Sequence, residues 1–278
     1  MHSPPAESFF LPVEGGFRYC LYHAPAGDCR GALVYVHPFA EEMNKSRRMA
    51  ALQARALAAL GVGVLQIDLH GCGDSSGEFA DARWDSWKHD IAQARAWLGQ
   101  RLGRPTGLWG LRVGALLALD YACAAAEPVE RLLLWQPVTG GSAVLAQFLR
   151  LRVAAGLMQD GASNGGTKVL RAELAAGKTL EIAGYDLAPA LAAAIEPLDA
   201  NVLAPRGCRI DWLEVTSAPD RPLPPAASRV ASSWRAQGID FGVRLVQAEP
   251  FWTTQEITEC PALLEATCDL FREPAHAA

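Results

Sequence analysis

The segment Gly110-Leu111-Arg112-Val113-Gly114 sets one residue between two glycines at two-residue spacing, after a short apolar run and before a long one. Glycines so placed permit a tight strand-to-helix turn that thrusts the central side chain outward. That side chain is an arginine. A guanidinium stays protonated, offers only donors and has no nucleophilic lone pair, so the chemistry available at this tip is anion recognition. Unpaired backbone N–H groups and the macrodipole at a helix start favour an anion at the same place. A second reactive pattern is Asp68-Leu69-His70-Gly71-Cys72-Gly73-Asp74-Ser75-Ser76-Gly77. There a thiol lies two residues from an imidazole, a pairing that activates cysteine for acyl attack when the turn brings both together. As metal ligands, Asp68, His70, Cys72 and Asp74 match no common zinc spacing, so no metal is predicted. The glycines also miss the GxGxxG register, and no helix follows them, so no dinucleotide cofactor is expected.

The elements that must carry these groups alternate along the chain. Residues 8–13 and 17–23, joined by Glu14-Gly15-Gly16, read as a β-hairpin. Residues 32–36 read as a buried strand, and Met49, Leu52, Ala56 and Leu60 then mark an amphipathic helix that Gly61 stops. Residues 62–69 follow as a strand, Trp84, Trp87, Ile91, Ala94 and Leu98 as a helical stripe, 107–109 as a strand and 111–126 as an apolar helix. After the strand at 131–135 the strand signal vanishes over residues 139–204, which read as helices, one of them alanine-rich at 188–194. A strand at 209–216, a helix at 225–237, a strand at 243–248 and a helix at 255–271 complete the rhythm. Continuous apolar strands are those covered on both faces, so the fold class predicted is α/β. It has an eight-stranded, mostly parallel sheet between helix layers, a single domain over 1–278, and a helical cap insertion at 139–204. Ligands of such sheets bind beyond the carboxyl ends of the strands, where the Arg112 turn and the Cys72 turn both fall.

Composition excludes several function classes. The chain has 278 residues, half of them hydrophobic, with 25 Lys+Arg against 30 Asp+Glu and a net charge of -5. That balance offers no basic field for nucleic acid and too much apolar content for a disordered chain. The richest apolar stretch, residues 113–126, is broken by Asp120, so no membrane span is expected. The first residues show no secretory pattern, and seven cysteines without a CxxC read as reduced thiols, which together predict a cytoplasmic location.

The order of these elements, with the glycine-flanked turn between the fifth strand and its helix, resembles the α/β-hydrolase fold over nearly the whole chain. Three segments resemble a narrower family, the exosortase A system-associated hydrolase 2 family: residues 37–48, 68–77 and 109–114. The resemblance implies a hydrolase, found beside exopolysaccharide and protein-sorting genes, whose machinery would supply protein partners. It also implies that Arg112 stands where the fold keeps its nucleophilic serine, that Val113 and Phe39 donate the oxyanion-hole N–H groups, and that the acid is Asp220. The fold's histidine should follow the last strand, but none of the six histidines lies between residues 90 and 275, and Glu249 stands near the vacated place.

No serine triad is therefore intact. The leading expectation is a degenerate site that binds an acidic, acyl or glycan small molecule through Arg112, Val113, Phe39, His37 and Glu41. In the competing arrangement Arg112 pairs internally with Asp220 or Glu249. A catalytic alternative is an active hydrolase or acyl transferase on esters or thioesters, with Cys72 as nucleophile and His70 or His37 as base.

Overall fold

The computed structural model describes residues 5–160, 166–218 and 221–272. Strands β1 (Glu7–Val13) and β2 (Gly16–His23) form the predicted antiparallel hairpin, turned by Gly15 and Gly16 at φ of 80° and 135°. Next come β3 (Gly31–Val36), α1 (Glu41–Ala59), β4 (Val62–Ile67), α2 (Trp84–Leu102), β5 (Gly107–Leu111), α3 (Val113–Ala124) and β6 (Arg131–Trp135). Between β6 and the next sheet strand lie α4 (Gly141–Asp160), α5 (Gly166–Ala175), β7 (Leu180–Ile182), β8 (Tyr185–Leu187) and α6 (Pro189–Ile195). The chain ends with β9 (Arg209–Thr216), α7 (Pro225–Ala236), β10 (Phe241–Gln247) and α8 (Pro261–Arg272).

Eight strands make one sheet in the order β1-β2-β4-β3-β5-β6-β9-β10. From β4 to β10 the neighbours run parallel, as the continuous apolar runs predicted. Period two divides the strand residues between two cores. Val34, Val36, Leu132 and Leu134 face the side holding Trp87 of α2 and Leu116 of α3, whereas Leu33, Tyr35, Leu133 and Trp135 face Met49 and Leu57 of α1 and Leu263 of α8. α3 is apolar all round its first two turns because it is covered on every side: Val113 to Leu119 are all buried.

The structure corrects two expectations. The segment after β6 is not strandless: β7 and β8 pair antiparallel around Ala183 and Gly184, both at positive φ (52° and 84°), the geometry of a two-residue hairpin turn. Strands of three residues are too short to carry a periodic signal. The last helix starts at Pro261, not near 255, since proline suits the first helical position and residues 255–260 stay irregular. Among the described residues no helix is long and apolar enough to cross a membrane.

Candidate functional site

β5 ends at Leu111, and the next residue, Arg112, takes φ 56° and ψ -116° before α3 begins. A residue that carries a Cβ is strained at such a positive φ, and here the hydrogen bond to β6 holds it in place. Arg112 N–H donates to the Trp135 carbonyl at 3.0 Å, and its own carbonyl accepts from Ala115 N–H at 3.1 Å. Both flanking glycines are required by space. A Cβ on Gly110 would stand 2.5 Å from the Ala115 Cα, and one on Gly114 would stand 2.5 Å from the His37 carbonyl oxygen. The opposite wall is the loop after β3, where Ala40 is also held at positive φ (55°) as α1 begins.

These two bends border a cleft of about 270 Å³ whose lining includes Phe39, Glu42, Arg112, Val113, Gln147 and Trp252. Arg112 is the charged centre. Its Nε and Nη2 each donate to Glu42 Oε1 at 3.3 Å, and Nη2 also donates to Gln147 Oε1 at 3.2 Å. The guanidinium carbon lies 5.5 Å from the centre of the Trp252 ring, a cation–π arrangement. Nη1 has no partner among the described residues, and neither do the backbone N–H groups of Val113 and Phe39. Burial pushes the Glu42 carboxyl above its ordinary range, although Arg112 pulls the other way. The remaining wall is apolar. Val144, Phe148 and Leu151 come from one face of α4, and the Phe148 ring meets Phe39 edge-on at 5.1 Å.

The expected residues are distributed unevenly over this geometry. Arg112, Val113, Phe39 and Glu41 do line the cleft. His37 does not. It is buried behind the loop, where Nδ1 faces the Pro38 carbonyl at 2.6 Å and Nε2 accepts the Leu69 N–H at 3.1 Å. With Nδ1–H donating, the ring is a neutral latch, and burial lowers its pKa. It offers no free nitrogen as a base. Cys72 is also corrected as a nucleophile. It is buried away from the cleft, and burial, with Asp68 and Asp90 nearby, drives its thiol pKa far up. His70 does not line the cleft either, and its Nδ1 is buried without a hydrogen bond.

Glu249 is exposed and engaged through its backbone carbonyl, which accepts from Phe251 N–H at 2.8 Å and from the Cys260 thiol at 3.2 Å. It is not the partner of Arg112; the intervening Phe251 turns into the core and leaves Trp252 at the cleft. Asp220 lies outside the described residues.

No motif in the sequence singles out Glu42 or Gln147. A signal existed: Val144, Gln147, Phe148 and Leu151 recur at the spacing of one helix face, so a polar residue shared an apolar stripe. Nor does any motif single out Glu214 of β9. It is buried, and its carboxylate accepts Trp212 Nε1 at 2.8 Å and Gln136 Nε2 at 3.1 Å. Each of its oxygens thus accepts from a neutral donor, and it borders a separate cavity of about 290 Å³ that Trp252 also lines. Burial raises its carboxyl above the usual range, against the pull of those two donors and of the Arg112 charge. Among the described residues no group of three His, Cys, Asp or Glu side chains is placed to hold a metal ion.

A family model described as Hydrolase_4, serine aminopeptidase, S33, matches residues 27–172. No curated protein matches the sequence significantly. Solved structures resemble the chain along almost its full length. Est1E from Butyrivibrio proteoclasticus with ferulic acid bound superposes with a TM-score of 0.68 at 12% identity, over 95% of this chain and 96% of that one. A thermostable carboxyl esterase from Bacillus coagulans, in complex with glycerol, gives 0.67 at 13% identity over 97% and 99%. The thioesterase domain from the curacin biosynthetic pathway gives 0.60 at 14% identity over 97% and 100%. At such identities the likeness is one of fold.

Proposed function

Because the chain belongs to the Hydrolase_4 family of serine aminopeptidase (S33) type and has the α/β-hydrolase fold, we propose that it is a binding member of that family, in which the site of covalent catalysis recognises an acidic small molecule. One observation carries the reading: the side chain at the strained bend is a guanidinium, flanked by backbone N–H groups of Val113 and Phe39 that donate to nothing among the described residues. In a well-studied serine protease, loss of nucleophile or base alone lowers turnover about 10⁶-fold. Donors left in place still favour negative charge. The carboxylate or acyl oxygen of a ligand would take these donors, and its apolar part would lie against Phe39, Val144, Phe148 and Trp252. The ferulic acid bound to the Butyrivibrio protein is an aromatic carboxylic acid, a molecule of the same chemical class.

The narrower reading rests on sequence. The segments at 37–48, 68–77 and 109–114 support membership of the exosortase A system-associated hydrolase 2 family. With it comes an accessory, cytoplasmic role beside exopolysaccharide or protein-sorting machinery. Residues 139–204 would serve as a cap, since α4 contributes Val144, Gln147, Phe148 and Leu151 to the cleft wall.

The test pairs binding with turnover. Ferulate should bind the wild type in calorimetry and lose at least tenfold in affinity on Arg112→Ala, while a fluorophosphonate probe leaves the protein unlabelled. Equal affinity in the variant, or a covalent adduct with brisk cleavage of short-chain aryl esters, would overturn it.

A further inference from the structure

We propose that Glu42 is a proton-operated counter-ion, holding Arg112 in the free protein and releasing it, on protonation, to a carboxylate carried on an apolar tail. This rests on the binding reading above and adds to it the ligand class and the control of its entry.

The geometry of the pair is the first ground. Nε and Nη2 of Arg112 reach the Glu42 carboxylate only at 3.3–3.4 Å. Good charge-assisted pairs close to about 2.7–2.9 Å. This protein makes such a pair elsewhere: Arg18 Nε meets Asp90 Oδ1 at 2.7 Å, with both side chains almost fully buried. The Arg112–Glu42 contact is loose by comparison, and both partners keep some exposure to the cleft, 13% and 21%.

The second ground is what surrounds the carboxylate. Arg112 faces it from the bend after β5, Glu41 and Lys45 from its own helix, and the neutral Gln147 approaches the same guanidinium from α4. Lys45 is drawn to Glu41, at 3.4 Å, and to the Thr253 carbonyl, at 3.5 Å. Arg112 is thus the one cation hydrogen-bonded to Glu42 among the described residues. Burial already raises the Glu42 carboxyl above its usual range. An arriving carboxylate sets a second negative charge beside Glu42 and draws off part of its cation. Both effects favour the protonated acid. Binding therefore takes up a proton, and affinity falls as pH rises between the free and the bound pKa of Glu42.

The third ground is the shape of the acceptor site. Arg112 Nη1 and the N–H groups of Val113 and Phe39 form the polar end, and Val144, Phe148, Leu151 and Trp252 the apolar end. Glu41 at the rim disfavours a ligand of higher negative charge. A singly charged amphiphile fits all three features.

The test is calorimetric titration with octanoate and with octanamide between pH 6 and 9, in buffers of different ionisation enthalpy. Octanoate binding should take up protons over part of that range, with affinity falling there by up to about tenfold per pH unit. Octanamide should bind weakly and without pH dependence. Glu42→Gln should bind octanoate about tenfold more tightly at pH 8 with no proton uptake. Octanoate binding without proton exchange, and with equal affinity in Glu42→Gln, overturns the counter-ion role and leaves the anion site standing. No octanoate binding by either protein at any pH overturns both.

Discussion

The carbonyl oxygen of Val36, the last residue of β3, lies so near Gly114 that it would overlap a Cβ placed there. The first turn of α3 is pressed against the end of β3, and this contact brings the Arg112 bend beside the Phe39–Ala40 loop. Gly114→Ala would force backbone against backbone, so about 1–3 kcal/mol or more of stability should be lost in urea melts. Gly156→Ala in α4, where a Cβ meets nothing within 4 Å, should gain roughly 0.5–1 kcal/mol in the same assay.

Arg112→Ser restores the hydroxyl but should not restore an esterase. Among the described residues no histidine lines the cleft, and both ring nitrogens of His37 are engaged. We expect no fluorophosphonate adduct and no ester turnover above buffer. A burst of product in stopped-flow would reveal a base that this geometry lacks.

His37 ties two loops together through Pro38 and Leu69, and its pKa is lowered by burial. A depressed folded value means that its contribution is complete above the unfolded pKa of about 6.5 and is lost as pH falls through the folded value. His37→Asn should cost about 1–3 kcal/mol at pH 7.5, where the neutral latch is intact. Below pH 6.5 the gap to wild type should narrow by up to about 1.4 kcal/mol per pH unit, because only the wild type loses the term. A gap that widens in acid would show the ring charged in the native state.

Native alkylation should separate the thiols by access. Cys123 is exposed, though its pKa is pushed up to about 11, while Cys72 is buried with a still higher one. Iodoacetamide followed by peptide mass spectrometry should find Cys123 modified in the native protein and Cys72 only after unfolding in urea. Rapid native labelling of Cys72 would contradict its burial.

Much of the fold was legible from one sequence because its signals are local. Fully apolar runs such as β3 and β6 mark strands covered on both faces, and the residues of Arg131–Trp135 and Arg209–Thr216 fall at the predicted bounds. The bend at Arg112 was equally readable, since only glycines leave room for it at 110 and 114. The β7–β8 hairpin was not, because three-residue strands carry too little pattern.

The amino-acid order by itself determined that a non-nucleophilic cation tops a sharp bend at the edge of a parallel sheet, because chain geometry and side-chain chemistry are properties of neighbouring residues. Which acid answers that cation was decided only by the tertiary structure. Several carboxylates had comparable claims, and Glu42 and Gln147, 70 and 35 residues away from Arg112, reach it because the start of α1 and one face of α4 border the same cleft. An ion pair falls off steeply with distance, so packing, which no spacing rule encodes, selects its members.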